Sequence, residues 1–194
     1  YCVSTSFRNE KNPVPGRHDL IFPMFEFEGR GGMKELSEIL YGLLQKLGII
    51  SDSIDYRDEV VVWKYKSLAR RFNTEILTAE HEESFGNEVG AIQFFPEYSH
   101  PFWNMKKSQE VVDCYEKIDI ILGGIETIGS AVRETDPDKM RQRFHTISNG
   151  EYKTLLFNQF GEKRVMDELN AYLSLPMTER FGGGVGMSRL IRHI

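Results

Sequence analysis

The sequence predicts an α+β fold, a mostly antiparallel sheet flanked by helices, and three observations predict it. Two aromatic-rich stretches, residues 1–8 and 18–28, flank a loop broken by Pro13, Pro15 and Gly16, as in a hairpin with a long connection. Gly123-Gly124 turns one apolar run, residues 118–122, into another, residues 125–133. Segments of helical period are set between and after these runs. Strands closed by local turns, with helices laid on them, make an antiparallel sheet carrying helices.

The elements follow in order. Residues 1–8 are a strand, 9–17 a loop and 18–28 the returning strand, carrying Phe22, Phe25 and Phe27. Gly31-Gly32 breaks the chain, and a helix covers residues 33–47. Its Leu36, Ile39/Leu40, Leu43/Leu44 and Leu47 recur at helical period, and Gly48 closes it. Residues 59–65 fit a strand or the start of a helix equally well, and residues 66–85 are polar and helical in part. Residues 90–95 are a buried strand ending at Pro96. Asp136-Pro137-Asp138 opens a helix with proline in its first turn, running to about Ile147. Residues 161–173 form another helix. The glycine run at 182–186 then leads into a final helix through Met187-Ser188-Arg189-Leu190, and taken alone it fits a plain turn.

Bulk properties place the 194 residues in one domain, residues 1–194, large enough to bury a core. Hydrophobic residues make up 40% and charged residues 27%, as in ordinary globular chains. A net charge of −5 argues against a module with a broad basic face for nucleic acid, though not against a local basic strip. Cys2 and Cys114 have neither metal spacing nor a disulfide framework, so a reducing, cytoplasmic setting is expected. No apolar run approaches the ~20 residues of a membrane helix, and no signal peptide is visible, so no membrane partner is expected. The chain begins at Tyr1 inside a strand, which reads as a fragment of a longer protein.

Two arginine-centred patterns carry the chemistry. The first is Ser6-Phe7-Arg8-Asn9-Glu10, followed by Arg17-His18 and a strand. The second is Gly182-Gly183-Gly184-Val185-Gly186-Met187-Ser188-Arg189. Each sets a guanidinium beside a turn or strand. Two such forks of donors suit the opposite ends of one polyphosphate. Between them, Asp119 precedes Glu126 by seven residues, and Arg133 follows seven later. An odd spacing puts two strand side chains on opposite faces unless a bulge intervenes.

In this combination the chain resembles the aspartyl/asparaginyl branch of class II aminoacyl-tRNA synthetases, which includes the related ammonia-dependent asparagine synthetase. The resemblance covers nearly all of residues 1–194, from the second family motif into the third. It implies a homodimer through the first motif, which would lie upstream. It implies ATP and Mg²⁺ as cofactor and metal, ATP bent across the sheet, and a carboxylate attacking the α-phosphorus to give an acyl-adenylate and pyrophosphate. Arg8 and Arg189 are implied as the catalytic cations. Arg8 matches the arginine on the α-phosphate and the amino-acid carboxylate, Glu10 a contact to the adenine edge, and Arg17 and His18 contacts to the outer phosphates. Phe22 matches the ring that stacks on adenine, and Arg189 the arginine over the other face of the base. Asp119 and Glu126 match carboxylates that hold Mg²⁺ on the phosphates. Arg133 matches the arginine that recognises the substrate side chain. For Arg133 and Glu126 to share one pocket, the resemblance implies a bulge near Gly129. The segment from Phe95 to Met105 resembles the border of the amino-acid pocket, and Glu80, Glu82 and Glu83 resemble an acidic segment of the same branch.

Two departures point away from standard synthetases. Ile21 and Ser188 stand where acidic residues are usual, and both surrounding segments are closer to the asparagine synthetase version. Taken singly, Asp119 and Glu126 read as ordinary strand-edge charges. Arg133 reads equally as a surface partner of Glu134 or Asp136, a pairing of ~0–1 kcal/mol. Order and joint spacing carry the resemblance. Aspartate and asparagine both place an oxygen before Arg133, so the substrate stays open. So does the acyl acceptor, tRNA or ammonia, as does a paralogue that keeps the fold only as a binding or regulatory module.

Overall fold

The computed structural model describes residues 1–9, 11–52, 59–99 and 102–194. Seven strands form one sheet: β1 (Cys2–Phe7), β2 (Ile21–Arg30), β3 (Val60–Lys64), β4 (Val89–Pro96), β5 (Cys114–Leu122), β6 (Ile125–Val132) and β7 (Arg180–Gly186). Their spatial order is β1-β2-β7-β6-β5-β4-β3. Every pairing is antiparallel except β3 with β4, which is parallel. The mostly antiparallel α+β reading therefore holds.

Helix α1 (Met33–Lys46) lies on one face of the sheet. Leu36, Leu40 and Leu44 are fully buried against Ile118, Ile120, Ile128, Val132, Phe181 and Val185, whereas Ile39 and Leu47 stay exposed. This i, i+4 stripe is the continuous core, and truncating any one of the three leucines would cost ~2–5 kcal/mol. The stretch left open between strand and helix is both: β3 ends at Lys64 and α2 (Tyr65–Arg71) starts at the next residue. The acidic segment forms α3 (Ala79–Glu83). Helix α4 (Pro137–Thr146) begins as expected, with Asp136 accepting from the Asp138 and Lys139 amides. Helix α5 (Glu151–Phe160), which the sequence reading missed, follows a turn in which Ser148, Asn149 and Gly150 are all left-handed. Helix α6 (Glu162–Leu173) packs with α4 in a separate cluster of Met140, Phe144, Val165, Leu169 and Leu173.

Two boundaries need correcting. Residues 18–20 belong to the loop, since β2 begins at Ile21. The glycine run is not a turn. It is β7, a central strand between β2 and β6, leading into α7 (Met187–His193). Its neighbours come too close for side chains. A Cβ at Gly183 would lie 2.8 Å from the Gly129 carbonyl oxygen and 2.7 Å from the Ser130 Cβ. One at Gly182 would lie 2.2 Å from Glu28 Oε1, and one at Gly184 2.3 Å from Met24 Cε.

Candidate active site

The face of the sheet opposite α1 carries two cavities. The first, about 380 Å³, is floored by Gly129, Gly184 and Gly186 and walled by Arg8, Arg17, His18, Phe22, Glu82, Glu126 and Arg189. Strand alternation builds this floor. Phe22 and Met24 on β2 point to the cavity, while Phe25 and Phe27 turn into the α1 core.

Arg8 stands just beyond β1, its amide donating to Leu20 O at 2.9 Å, and its guanidinium lies 5.4 Å from the Phe22 ring centroid. Its aromatic partner is therefore the ring expected to stack on a base. Arg17 bridges the loop to α3 and to the β5–β6 turn. Its Nη2 donates to Glu82 Oε2 at 2.5 Å, and its Nη1 donates to Gly124 O at 3.4 Å. His18 Nδ1 accepts from the Val14 amide at 3.2 Å, which leaves the neutral ring's proton on Nε2. Arg189 donates to the Glu126 carbonyl and, at 3.2 Å, to Arg17 O. Burial pulls the Arg189 guanidinium below its ordinary range, with Glu126 opposing that shift and Arg8 and Arg17 adding to it. Glu10 lies outside the described residues.

The expected bulge exists, two residues before Gly129. Ile120 faces Ile128 but Ile121 faces Glu126, so Thr127 is the extra residue. The bulge swings Glu126 onto the face of Gly129. A Cβ at Gly129 would lie 2.7 Å from Glu126 Oε1 and 3.6 Å from Asp119 Oδ1. Asp119 is nearly fully buried. Its Oδ2 accepts from Lys117 Nζ, while Oδ1 has no hydrogen-bond partner among the described residues. Burial raises the Asp119 carboxyl to about 7, against the pull of the Lys117 ammonium and with repulsion from Glu126. Among the described residues, no three His, Cys, Asp or Glu side chains gather to hold a metal ion. Two converging carboxylates, one with an orphaned oxygen over a glycine, fit a hard cation that takes its remaining ligands from phosphates and water.

The sequence marks Glu82 only as part of an acidic segment, yet it is central to the site. Its carboxylate also accepts from the Glu126 amide at 3.3 Å. Burial, then Glu126, raise its pKa, and Arg17 opposes them.

The second cavity, about 560 Å³, is lined by Glu28, Phe102, Asn104, Met105, Arg133, Tyr172 and Arg180. Arg133 lines this second cavity whereas Glu126 lines the first, so the bulge brings the two onto one face without bringing them together. Both residues lie on the same sheet face, but Gly129, Ala131 and the β7 glycines separate them. Glu28 sits between two cations, accepting from Arg133 Nε at 3.3 Å and pairing with Arg180 Nε at 3.4 Å. Phe102, Asn104 and Met105 come from the segment expected to border an amino-acid pocket.

This sheet order, with an arginine-walled cavity over a glycine strand, is that of a class II aminoacyl-tRNA synthetase core. The chain belongs to the family of tRNA synthetases class II (D, K and N), which matches it over residues 1–194. No curated protein sequence matches it. Among solved structures, it is similar to the asparaginyl-tRNA synthetase of Entamoeba histolytica in complex with asparaginyl-adenylate, at 15% identity and a TM-score of 0.73, covering 98% of this chain and 48% of that one. It is also similar to the asparaginyl-tRNA synthetase of Pyrococcus horikoshii complexed with asparaginyl-adenylate, at 15% identity, a TM-score of 0.71 and coverage of 98% and 48%. The aspartyl-tRNA synthetase of Entamoeba histolytica aligns at 17% identity and a TM-score of 0.69, covering 98% of this chain and 44% of that one. The chain thus spans less than half the length of these structural neighbours.

Proposed function

We propose that residues 1–194 are the part of a catalytic domain running from the second to the third family motif, and that it activates aspartate or asparagine with ATP. The observation that carries this reading is the first cavity, where Arg8, Arg17, His18 and Arg189 surround a floor without side chains. A glycine floor lets a nucleotide approach the backbone closely.

An oxygen of the amino-acid carboxylate attacks the α-phosphorus. The bond to the bridging oxygen breaks, and pyrophosphate leaves with its electron pair. Arg8 steadies the charge that builds on the α-phosphate, Arg17 and His18 Nε2–H hold the outer phosphates, and Arg189 closes the site from α7. Phe22 offers its free ring face to adenine. Asp119 and Glu126 would hold Mg²⁺, which neutralises phosphate charge when bound. Arg133 reads the substrate side chain in the second cavity. The acyl acceptor of this reading is tRNA; Ser188, which lines the first cavity in place of an acidic residue, supports ammonia as the second reading, in which the aspartate side-chain carboxylate is the group activated. A homodimer and a cytoplasmic setting belong to the same reading.

ATP–pyrophosphate exchange on the full-length protein tests it, with aspartate and asparagine supplied separately. Exchange with either supports adenylation, and the preferred amino acid selects the branch. No exchange with either, in folded protein, overturns the reading in favour of a non-catalytic paralogue.

A further inference from the structure

Residues 11–20 form a long connection with few bonds of its own. The Arg17 and His18 amides donate to Val14 O at 3.1 and 2.8 Å, and the Val14 amide returns a bond to His18 Nδ1. Besides the Arg8 amide on Leu20 O and the Arg17 bond to Gly124 O, its hold on the rest of the molecule comes from two helices far away in sequence. From α7, Arg192 Nη1 donates to Gly16 O, and Arg192 Nη2 donates to both Asp19 carboxylate oxygens at 3.0 and 3.1 Å. From α3, Glu82 takes the Arg17 guanidinium at 2.5 Å and is itself tied to the Glu126 amide. The two grips bracket the residues that face the cavity. Arg192 holds positions 16 and 19, and Glu82 holds the side chain at 17.

The geometry points to Arg192 and Glu82 as positioning residues, a two-helix clasp that sets Arg17 and His18 for the outer phosphates before nucleotide arrives. This inference rests on the adenylation reading for its ligand, though not for the clasp itself. An isolated surface ion pair does little. Arg192 differs because one rigid fork spans a carbonyl and a carboxylate, closing the loop across three residues. A loop held in its bound form need not be ordered on binding, so losing the clasp weakens affinity for the ligand that the loop touches. Chemistry at the α-phosphorus and recognition in the second cavity remain unchanged. With its side chain 47% exposed, Arg192 can be truncated without opening the core.

The test uses Arg192→Ala, Arg192→Lys and Glu82→Gln in the full-length protein, first without ligand. Hydrogen exchange of the amides at residues 14–20 should accelerate by about tenfold in the Ala and Gln variants, with the sheet unchanged. In pyrophosphate exchange, the ATP KM of Arg192→Ala should rise by about tenfold, while kcat and the amino-acid KM stay within about twofold. Lysine, with one ammonium in place of a fork, should restore part of the loss. Arg192→Ala combined with Asp19→Ala should be no worse than Arg192→Ala alone, which already loses both the Asp19 and the Gly16 bonds. Unchanged loop exchange in both variants overturns the clasp whatever the activity. A fall in kcat with no change in ATP KM overturns its role as a positioning device. Faster loop exchange in a protein whose parent shows no pyrophosphate exchange upholds the clasp and removes the adenylation reading instead.

Discussion

The two ends of one sheet face are built on opposite terms. At the β4–β5 end, Ile92, Phe95 and Ile121 project from the strands and are sealed by Tyr65, Leu68 and Ala69 of α2 together with Phe85. At the β2–β7–β6 end, the same face carries Gly129, Gly184 and Gly186, and a cavity stands where side chains would otherwise meet. Lys117 and Asp119 mark the border. The Lys117 ammonium lies 4.0 Å from the Phe95 ring centroid on the packed side, and its carboxylate partner leans over Gly129 on the open side. The difference teaches that a site in this fold is a stretch of sheet from which the Cβ atoms have been withheld. Cations then supply the walls.

The largest effects should come from the open end. Arg8→Ala removes the cation beside Phe22 and should lower pyrophosphate-exchange turnover by on the order of 10²-fold while the fold survives. Unchanged turnover would deny Arg8 a part in the chemical step. Arg133→Ala separates the two cavities. It should abolish amino-acid activation yet leave ATP binding, read by calorimetry, close to that of the parent. Near-parental activation would remove Arg133 from substrate recognition.

Refilling the floor is the next test. Gly184→Val places methyls where only the flexible end of Met24 must yield, so stability should change by less than about 1–3 kcal/mol. Its ATP KM should nonetheless rise by about tenfold, since the added carbons occupy the cavity. An unaltered ATP KM would show that the nucleotide does not lie over β7.

How far this division was legible in the sequence depended on distance along the chain. Leu36, Leu40 and Leu44 announce α1 because a helix writes its buried stripe locally, and the N-terminal hairpin is announced by its prolines and aromatics. The β7 strand is not legible because consecutive glycines signal a turn locally. Their true cause is close approach by Met24, Glu28 and Gly129, none of them a sequence neighbour. Helix α5 was missed because its Leu155 and Phe160 stay exposed and none of its residues is buried. At the site, Arg8, Arg17, His18, Phe22, Glu126 and Arg189 do gather around one cavity. Glu82 went unassigned because its partners, Arg17 and Glu126, lie 65 and 44 residues away. Spacing along β6, with its bulge, puts Glu126 and Arg133 on one face but says nothing about how far apart the cavities they line are set.

The glycines of β7 also predict a contrast between its two sides. Gly183 faces Phe27, Ser130 and the Gly129 carbonyl, away from the cavities, and backbone there cannot yield as Met24 can. Gly183→Ala should therefore lower stability by ~2–3 kcal/mol, read as a shift of the urea midpoint, and leave the ATP KM of the folded fraction unchanged. A Gly183→Ala protein as stable as the parent would mean that the strands separate more easily than the close approach implies.

The smallest effect belongs to the helices beyond the second cavity, where no sheet position is altered. Asp136 caps α4 through the Asp138 and Lys139 amides at 3.0 and 3.2 Å, and α4 carries Arg143, which pairs with Glu134 at 2.6 Å and donates to the Met105 carbonyl. Asp136→Ala leaves those two amides to water and should cost ~1 kcal/mol, again as a shift in the urea midpoint. The first cavity has no wall on α4, so ATP affinity should not move. Any loss should appear in the amino-acid KM, because Met105 lines the second cavity and is held in part through α4. A change in ATP affinity instead would mean that the two cavities are mechanically one, and that the glycine strand between them transmits strain rather than dividing the face.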